Sequence, residues 1–377
     1  MPGALWREAV ELARTVGISE GLDGIDDPAT VRDLDPLDAD DVISSLPTLN
    51  SAGATEPLIA WLRQVVARPG LEELNRNATH AAMRDVGMVL GSLQRCGVQP
   101  AHVDTRLPHL LHKWGDLVGM VPRDTVVHYG PWNPPGERER RYTSDPQEQI
   151  LIESVRQAAD LLPAMALHVC IAQHHGIGSQ EGIRALRSGV GHFRQYVENF
   201  EHVRDHVSPA FFARELRPFF EPVDVDGTWY HGPAAAFLPM YLVDTLLWGD
   251  AGPEHRAMMS EAALYGIPAW RSLLDMCRRG EPLSHIYESA LRDGAEAGPA
   301  TVEGGLIDEL LALLVRFRGQ HVTLARHAYD AAVTDFATGS GGYSPEILIA
   351  ITRATRDADH RVRDLTDRAR SVDGASG

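Results

Sequence analysis

Cysteine is scarce in this sequence: Cys96, Cys170 and Cys277 are the three present, and no two stand in a C-x-x-C pair. A disulfide framework and a cysteine-built zinc site are therefore not expected. The C-x-x-C-H signature is missing too, so a haem, if bound, is not attached as in a c-type cytochrome. No stretch reaches the ~18 apolar residues of a membrane span, and the opening MPGALWREAVE has no basic region ahead of an apolar run. A cytoplasmic location with reduced thiols is the expectation. Positive charge is short as well, with 35 Lys and Arg against 52 Asp and Glu, for a formal charge of −17. A phosphate-backbone binder needs a basic surface, so nucleic acid and anionic membrane are set aside as main partners. H-E-x-x-H, G-x-S-x-G, dinucleotide and P-loop patterns do not occur.

What is present has the balance of a soluble globular protein: 377 residues, 44% hydrophobic and 23% charged. Alternation with period two is rare, whereas long segments repeat with the helical period, which predicts a mainly α-helical protein. Helices are expected over 4–15, 56–68, 78–96, 104–118, 146–176, 180–206, 208–219, 233–249, 253–278, 282–293, 302–334 and 345–370. Turn signals separate them at Tyr129–Pro146, Glu221–Pro233 and Ala337–Pro345. The stretch from Gly21 to Asp41 is dense in Asp and Pro and reads as short turns and caps. The expected organisation is an N-terminal helix with an acidic, turn-rich segment over 1–50, an all-α domain over 51–370 and a frayed tail over 371–377.

Seventeen histidines raise the question of ligands. His168, His174 and His175 cluster within two helical turns, but a zinc site would need further ligands at a recognised spacing. His321 is different. Along the predicted 302–334 helix the apolar stripe runs Leu310, Leu314, Phe317, Leu324 and Ala328, and His321 fills the one skipped place between Phe317 and Leu324. Two readings fit a core-facing histidine: a hydrogen-bonded core residue, or an axial ligand of a metal or haem. Arg318 precedes it by one turn, with Arg316 and Arg326 nearby, and guanidinium groups suit the two propionates of a haem. Downstream lies Gly339-Ser340-Gly341-Gly342-Tyr343, which permits either close approach to a ligand or an ordinary turn.

The segments RFRGQHVTLARHAYD and GSGGYSP, read with MRDVGMVLGSLQRCGVQP at 83–100, VVHYGPWNP at 126–134, RRYTSDP at 140–146 and ELRPFFEPV at 215–223, resemble the PrnB family of monodechloroaminopyrrolnitrin synthases. That family belongs to the haem superfamily of indoleamine and tryptophan 2,3-dioxygenases. The resemblance covers about Leu46 to Arg363 in the same order. It implies a helical bundle with haem b held non-covalently between helices, so that the 51–370 domain is the catalytic one.

Residue by residue, the resemblance makes His321 the proximal haem ligand, Arg318 a propionate partner and Asp244 an acidic member of the same network. For Asp244, a plain solvent-facing position remains the alternative. Gly232, Pro233 and Ala234 match the dioxygenase loop over the distal haem face, with the departure that Pro233 stands where the pattern has Ser and removes a backbone donor. Phe212 and Arg217 match the residues over the indole and the amino-acid carboxylate; a structural salt bridge or a propionate contact is the competing role for Arg217. Trp132 and Tyr142 are expected as aromatic pocket walls, with Tyr142, Ser154 and Arg217 the candidate catalytic groups. Ser340 and Gly341 of the glycine-rich loop are expected to meet the substrate.

The leading expectation is a haem-dependent enzyme that transforms tryptophan or a tryptophan-derived indole by oxidative rearrangement in specialised metabolism. Dioxygen or peroxide and an electron donor would be its co-reactants. One alternative keeps the haem but dehydrates an indole acetaldoxime to a nitrile. Another is a haem-binding or sensor protein without turnover. Oligomeric state is left open.

Overall fold

A computed structural model describes residues 3–22, 27–233, 237–292, 302–328 and 345–375. Among these the protein is mainly α-helical, and the one sheet is a two-stranded hairpin. The main helices are α1 (Ala4–Thr15), α2 (Pro28–Asp33), α3 (Glu56–Ala67), α4 (Arg76–Arg95), α5 (Leu107–Val118), α6 (Pro146–His175) and α7 (Gln180–His206). After the hairpin of β1 (Val223–Val225) and β2 (Thr228–Tyr230) come α8 (Leu238–Leu247), α9 (Pro253–Tyr265), α10 (Pro268–Arg279), α11 (Leu283–Arg292), α12 (Val302–Ala328) and α13 (Pro345–Ala375).

The centre of the fold is the pair α6 and α7. Helix α6 starts at Asp145, whose carboxylate accepts the Gln147 amide, followed by Pro146 at the first helical position, where a missing N–H does no harm. Ser179 caps α7 in the same way by accepting the Gly182 amide. Short loops and strong caps fold the two helices back on each other, and theirs is the most extensive helix–helix contact among the described residues. Helix α12 then packs on α7 and α13, and its Leu310, Leu311 and Leu314 are fully buried. Burial of each such leucine contributes about 1.5–3 kcal/mol.

The N-terminal segment is tied to this body by polar contacts. Asp160, midway along α6, accepts the amides of Gly3 at 2.9 Å and Trp6 at 2.8 Å, supplying the cap that Gly3 cannot. Arg32 of α2 donates to the Pro131 carbonyl at 2.6 Å. Asp40 and Asp85 share Arg140, at 2.5 and 3.0 Å, and Asp85 also holds Arg84 at 2.8 Å.

Three predicted elements differ in form. The expected 208–219 helix is a short turn at Pro209–Phe211, a π turn at Phe212–Leu216 and a 3-10 turn at Arg217–Phe220, because Pro218 cannot supply an amide to a continuing helix. The expected 253–278 helix breaks between Tyr265 and Pro268, where Pro268 starts a second helix. The last helix continues through Ala375, beyond the predicted end at 370 and into the segment expected to fray.

Candidate active site

Helices α6, α7 and α12 and the turns at 209–220 enclose a cavity of about 330 Å³. Its walls are mostly apolar: Leu151 and Val155 from α6, Phe200 and Val203 from α7, and Leu324 and Ala325 from α12. His321 is the one imidazole among the described lining residues. Its ring lies parallel to Phe317 at 5.5 Å between centroids and edge-on to Phe200 at 5.9 Å. Two aromatic neighbours thus fix its orientation from two directions.

His321 is half-buried and borders the cavity. Burial pushes its pKa down to about 4, with the Arg318 guanidinium adding to the effect. The imidazole is therefore neutral near pH 7, and its Nδ1 is buried without a hydrogen-bond partner. A neutral ring on an apolar wall is the donor that a haem iron takes. The residues present fit such a group on this count.

Behind the histidine lies a buried ion-pair network. Arg318 donates to Asp244 Oδ2 at 2.5 Å, joining α12 to α8. Asp244, fully buried, also accepts Trp248 Nε1 at 3.1 Å and faces His255 Nε2 at 3.6 Å. The Ala251 amide donates to His255 Nδ1, which assigns a neutral ring's proton to Nε2, on the Asp244 side. Burial raises the Asp244 pKa, but Arg318 and His255 outweigh it and hold the carboxyl below its usual range.

A family model described as monodechloroaminopyrrolnitrin synthase PrnB matches residues 48–375. The chain belongs to the PrnB family.

Several sequence-predicted residues of this PrnB-family chain meet at the cavity. Ser154, Phe212, Pro233 and His321 all line it. Ser154 sits on α6, where Asn199 of α7 donates to its Oγ at 3.1 Å and to its carbonyl at 3.0 Å. Gly232 is not a lining residue but explains the path of the loop, since a Cβ there would come within 2.3 Å of the Phe220 carbonyl. Arg318 and Asp244 face each other behind the wall. Ala234, Ser340 and Gly341 lie outside the described residues.

Others stand elsewhere. Tyr142 is fully buried one layer back, stacked on Phe219 at 4.6 Å, and does not line the cavity. Trp132 packs on His80 at 3.9 Å, away from it. The reason is the loop that carries them: Glu148 of α6 accepts the Tyr142 amide, the Thr143 amide and hydroxyl, and the Tyr129 hydroxyl, which draws the loop into the core. Arg217 is buried and ion-paired with Glu221 instead of facing the cavity.

Sequence reasoning missed Tyr196, Phe200 and Phe220 on the wall, Asn199 behind Ser154, and His255 on Asp244. Tyr196 and Phe200 had a signal in the inward stripe of α7, Phe193, Tyr196 and Phe200, whereas Phe220 lies on the turn at 217–220. The polar partners had none, because each contact joins separate helices.

Proposed function

We propose that this protein is a haem-dependent enzyme that transforms a tryptophan-derived indole by oxidative rearrangement, with haem b held non-covalently by His321. The observation that carries the reading is a neutral, aromatic-braced histidine on the wall of a mostly apolar cavity, in a chain of a synthase family. Membership of an enzyme family weighs against the sensor reading. Haem, when bound, supplies the redox chemistry and one open coordination position for a small co-reactant.

The chain's own residues set the conditions for that chemistry. Phe317 and Phe200 hold the His321 ring, and the Arg318–Asp244 pair fixes α12 against α8, so the ligand is presented from a rigid support. Phe212, Phe220 and Leu151 offer flat apolar surface to an indole and exclude water. Ser154 Oγ accepts from Asn199, which leaves its own proton to be donated to a polar atom in the cavity.

The test is spectroscopic. The wild-type protein should bind haem with a Soret band, and His321→Ala should lose it while keeping its far-ultraviolet circular dichroism. A His321→Ala protein with an unchanged ferrous haem spectrum would remove the assignment. Turnover is read by incubating the reduced, aerobic protein with tryptophan, chlorinated tryptophans and indole acetaldoxime, and following their consumption by mass spectrometry.

Dehydration of an indole acetaldoxime is the second reading. It is favoured by one observation: no Arg or Lys lines the cavity among the described residues. The product separates the two. Dehydration removes one water from the aldoxime without consuming dioxygen or an electron donor. Oxidative rearrangement consumes both, and mass spectrometry with oxygen-uptake measurement reads the difference.

A further inference from the structure

Two of the three cysteines meet in the core, away from the cavity. Cys170 stands near the C-terminal end of α6 and Cys277 near that of α10, with their sulfurs 3.7 Å apart. Local spacing could not announce the pair, because 107 positions separate its members. Cys277 closes the inward stripe of α10 after Trp270, Leu273 and Leu274, all buried. Cys170 belongs to a run of α6, from Val169 to Ala172, that is buried throughout. Just beyond, Gln173 donates to the Glu281 carbonyl at 2.7 Å. Gly280 sits so close to that side chain that a Cβ would come within 2.9 Å of Gln173 Oε1. The two helix ends are thus pinned side by side, which keeps the sulfurs facing each other.

A buried cysteine is usually an inert, small apolar residue. Two in contact are different, because oxidation of one sulfur places an electrophile beside the other. A disulfide is about 2.05 Å long, so the sulfurs need only close the short remaining gap. We infer that Cys170 and Cys277 form a peroxide-driven disulfide lock that ties α6 to α10. The lock goes beyond the proposed function and does not rest on it.

The chemistry takes two steps. The Cys170 sulfur, giving up its proton, attacks one oxygen of hydrogen peroxide; the O–O bond breaks, the leaving hydroxide takes that proton as water, and a sulfenic acid remains. The Cys277 sulfur then attacks the Cys170 sulfur; the S–S bond forms, the S–O bond breaks, and a second water leaves with the thiol proton. The two sulfurs lose two electrons and the peroxide gains them. Cys170 reacts first because it keeps 6% exposure against 2% for Cys277. Burial also pushes the Cys277 thiol up, and contact with Cys170 adds to this. Helix α8, which carries Asp244, packs on both α6 and α10, so the bond would brace the support of the ion-pair network.

The test uses full-length Cys96→Ser protein, which removes the exposed thiol and leaves the core untouched. After a small molar excess of hydrogen peroxide, both remaining thiols should become untitratable in denaturant. The intact mass should fall by two hydrogens, and a digest should yield one cross-linked peptide pair holding Cys170 and Cys277, reversed by dithiothreitol. The bond closes a loop of about 107 residues and should raise the melting temperature by about 3–6 °C. Adding Cys170→Ser should leave Cys277 a free thiol at the same dose. Thiols that stay titratable, oxygen added to either sulfur without a cross-link, or a cross-link that leaves the melting temperature unchanged would each overturn the inference. Oxidation of Cys277 at an undiminished rate in the Cys170→Ser protein would overturn it as well.

Discussion

Replacing Asp244 by Asn keeps the shape of the side chain and removes its charge. The perturbation falls on Arg318, which is 6% exposed and has Asp244 as its ion-pair partner at 2.5 Å. Breaking a buried pair by removing one partner costs about 3–5 kcal/mol, because the remaining charge is left in a medium that solvates it poorly. The entropy of unfolding near the midpoint is about 2.1 cal/mol/K per residue, which over 377 residues gives roughly 0.8 kcal/mol/K. Asp244→Asn should therefore lower the melting temperature by about 4–6 °C in haem-free protein, read by calorimetry or circular dichroism. A second substitution supplies the control. Asp244→Asn with Arg318→Met removes both charges and should recover most of the loss, since a buried pair replaced by apolar groups is close to neutral. A fall of less than 1 °C in the single variant, or a double variant that melts no higher than the single one, would refute the reasoning.

Two further outcomes follow from buried groups. Burial pushes the Glu148 carboxyl up to about 7 from an ordinary value of 4.5, even against four donors. Between those values the folded protein holds more protons than the unfolded chain, so this stabilising contribution is complete below about pH 4.5 and fades as pH rises through 7. The swing is about 3 kcal/mol; Glu148→Gln should flatten the fall in urea-unfolding stability over that window, and an unchanged slope would reject the assignment. Gly91→Ala would place a Cβ 2.5 Å from the Tyr142 hydroxyl and 2.8 Å from the Phe219 carbonyl. Overpacking of ~1–3 kcal/mol should outweigh the helix-propensity gain of ~1 kcal/mol, whereas Gly305→Ala, with nothing within 4 Å, should show the gain alone. Equal melting temperatures for the two variants would contradict this.

The stripe on α12 was legible because the helical period alone decides which positions turn inward: Leu310, Leu314 and Phe317 are buried, and His321 and Leu324 reach the cavity. Period also carried α6 and α7, whose caps sit where Asp145 and Ser179 stand. It failed between Tyr265 and Pro268, where the apolar repeat runs through a break that the missing amide of Pro268 imposes. Family resemblance placed Asp244 and Arg318 in one network without pairing them. Their pairing spans 74 residues and leaves no local trace in the sequence. Trp132 and Tyr142 show the opposite failure: aromatic residues on a turn-rich segment read as pocket walls, but the Glu148 hydrogen bonds pull the segment inward and put other rings in front. Arg217 has the composition of a carboxylate clamp, and only the fold reveals that its own turn already supplies the carboxylate.

The contact of Asp160 with the Gly3 and Trp6 amides reaches beyond stability into the timing of synthesis. The residue that caps α1 is translated 154 positions after Trp6. At 5–20 residues per second that is a wait of roughly 8–30 s. During that interval the start of α1 has no side-chain cap of its own. Its amides then gain protection only when α6 has emerged and docked, so solvent exchange at the Trp6 amide is a clock for the docking of α1 on α6 during synthesis.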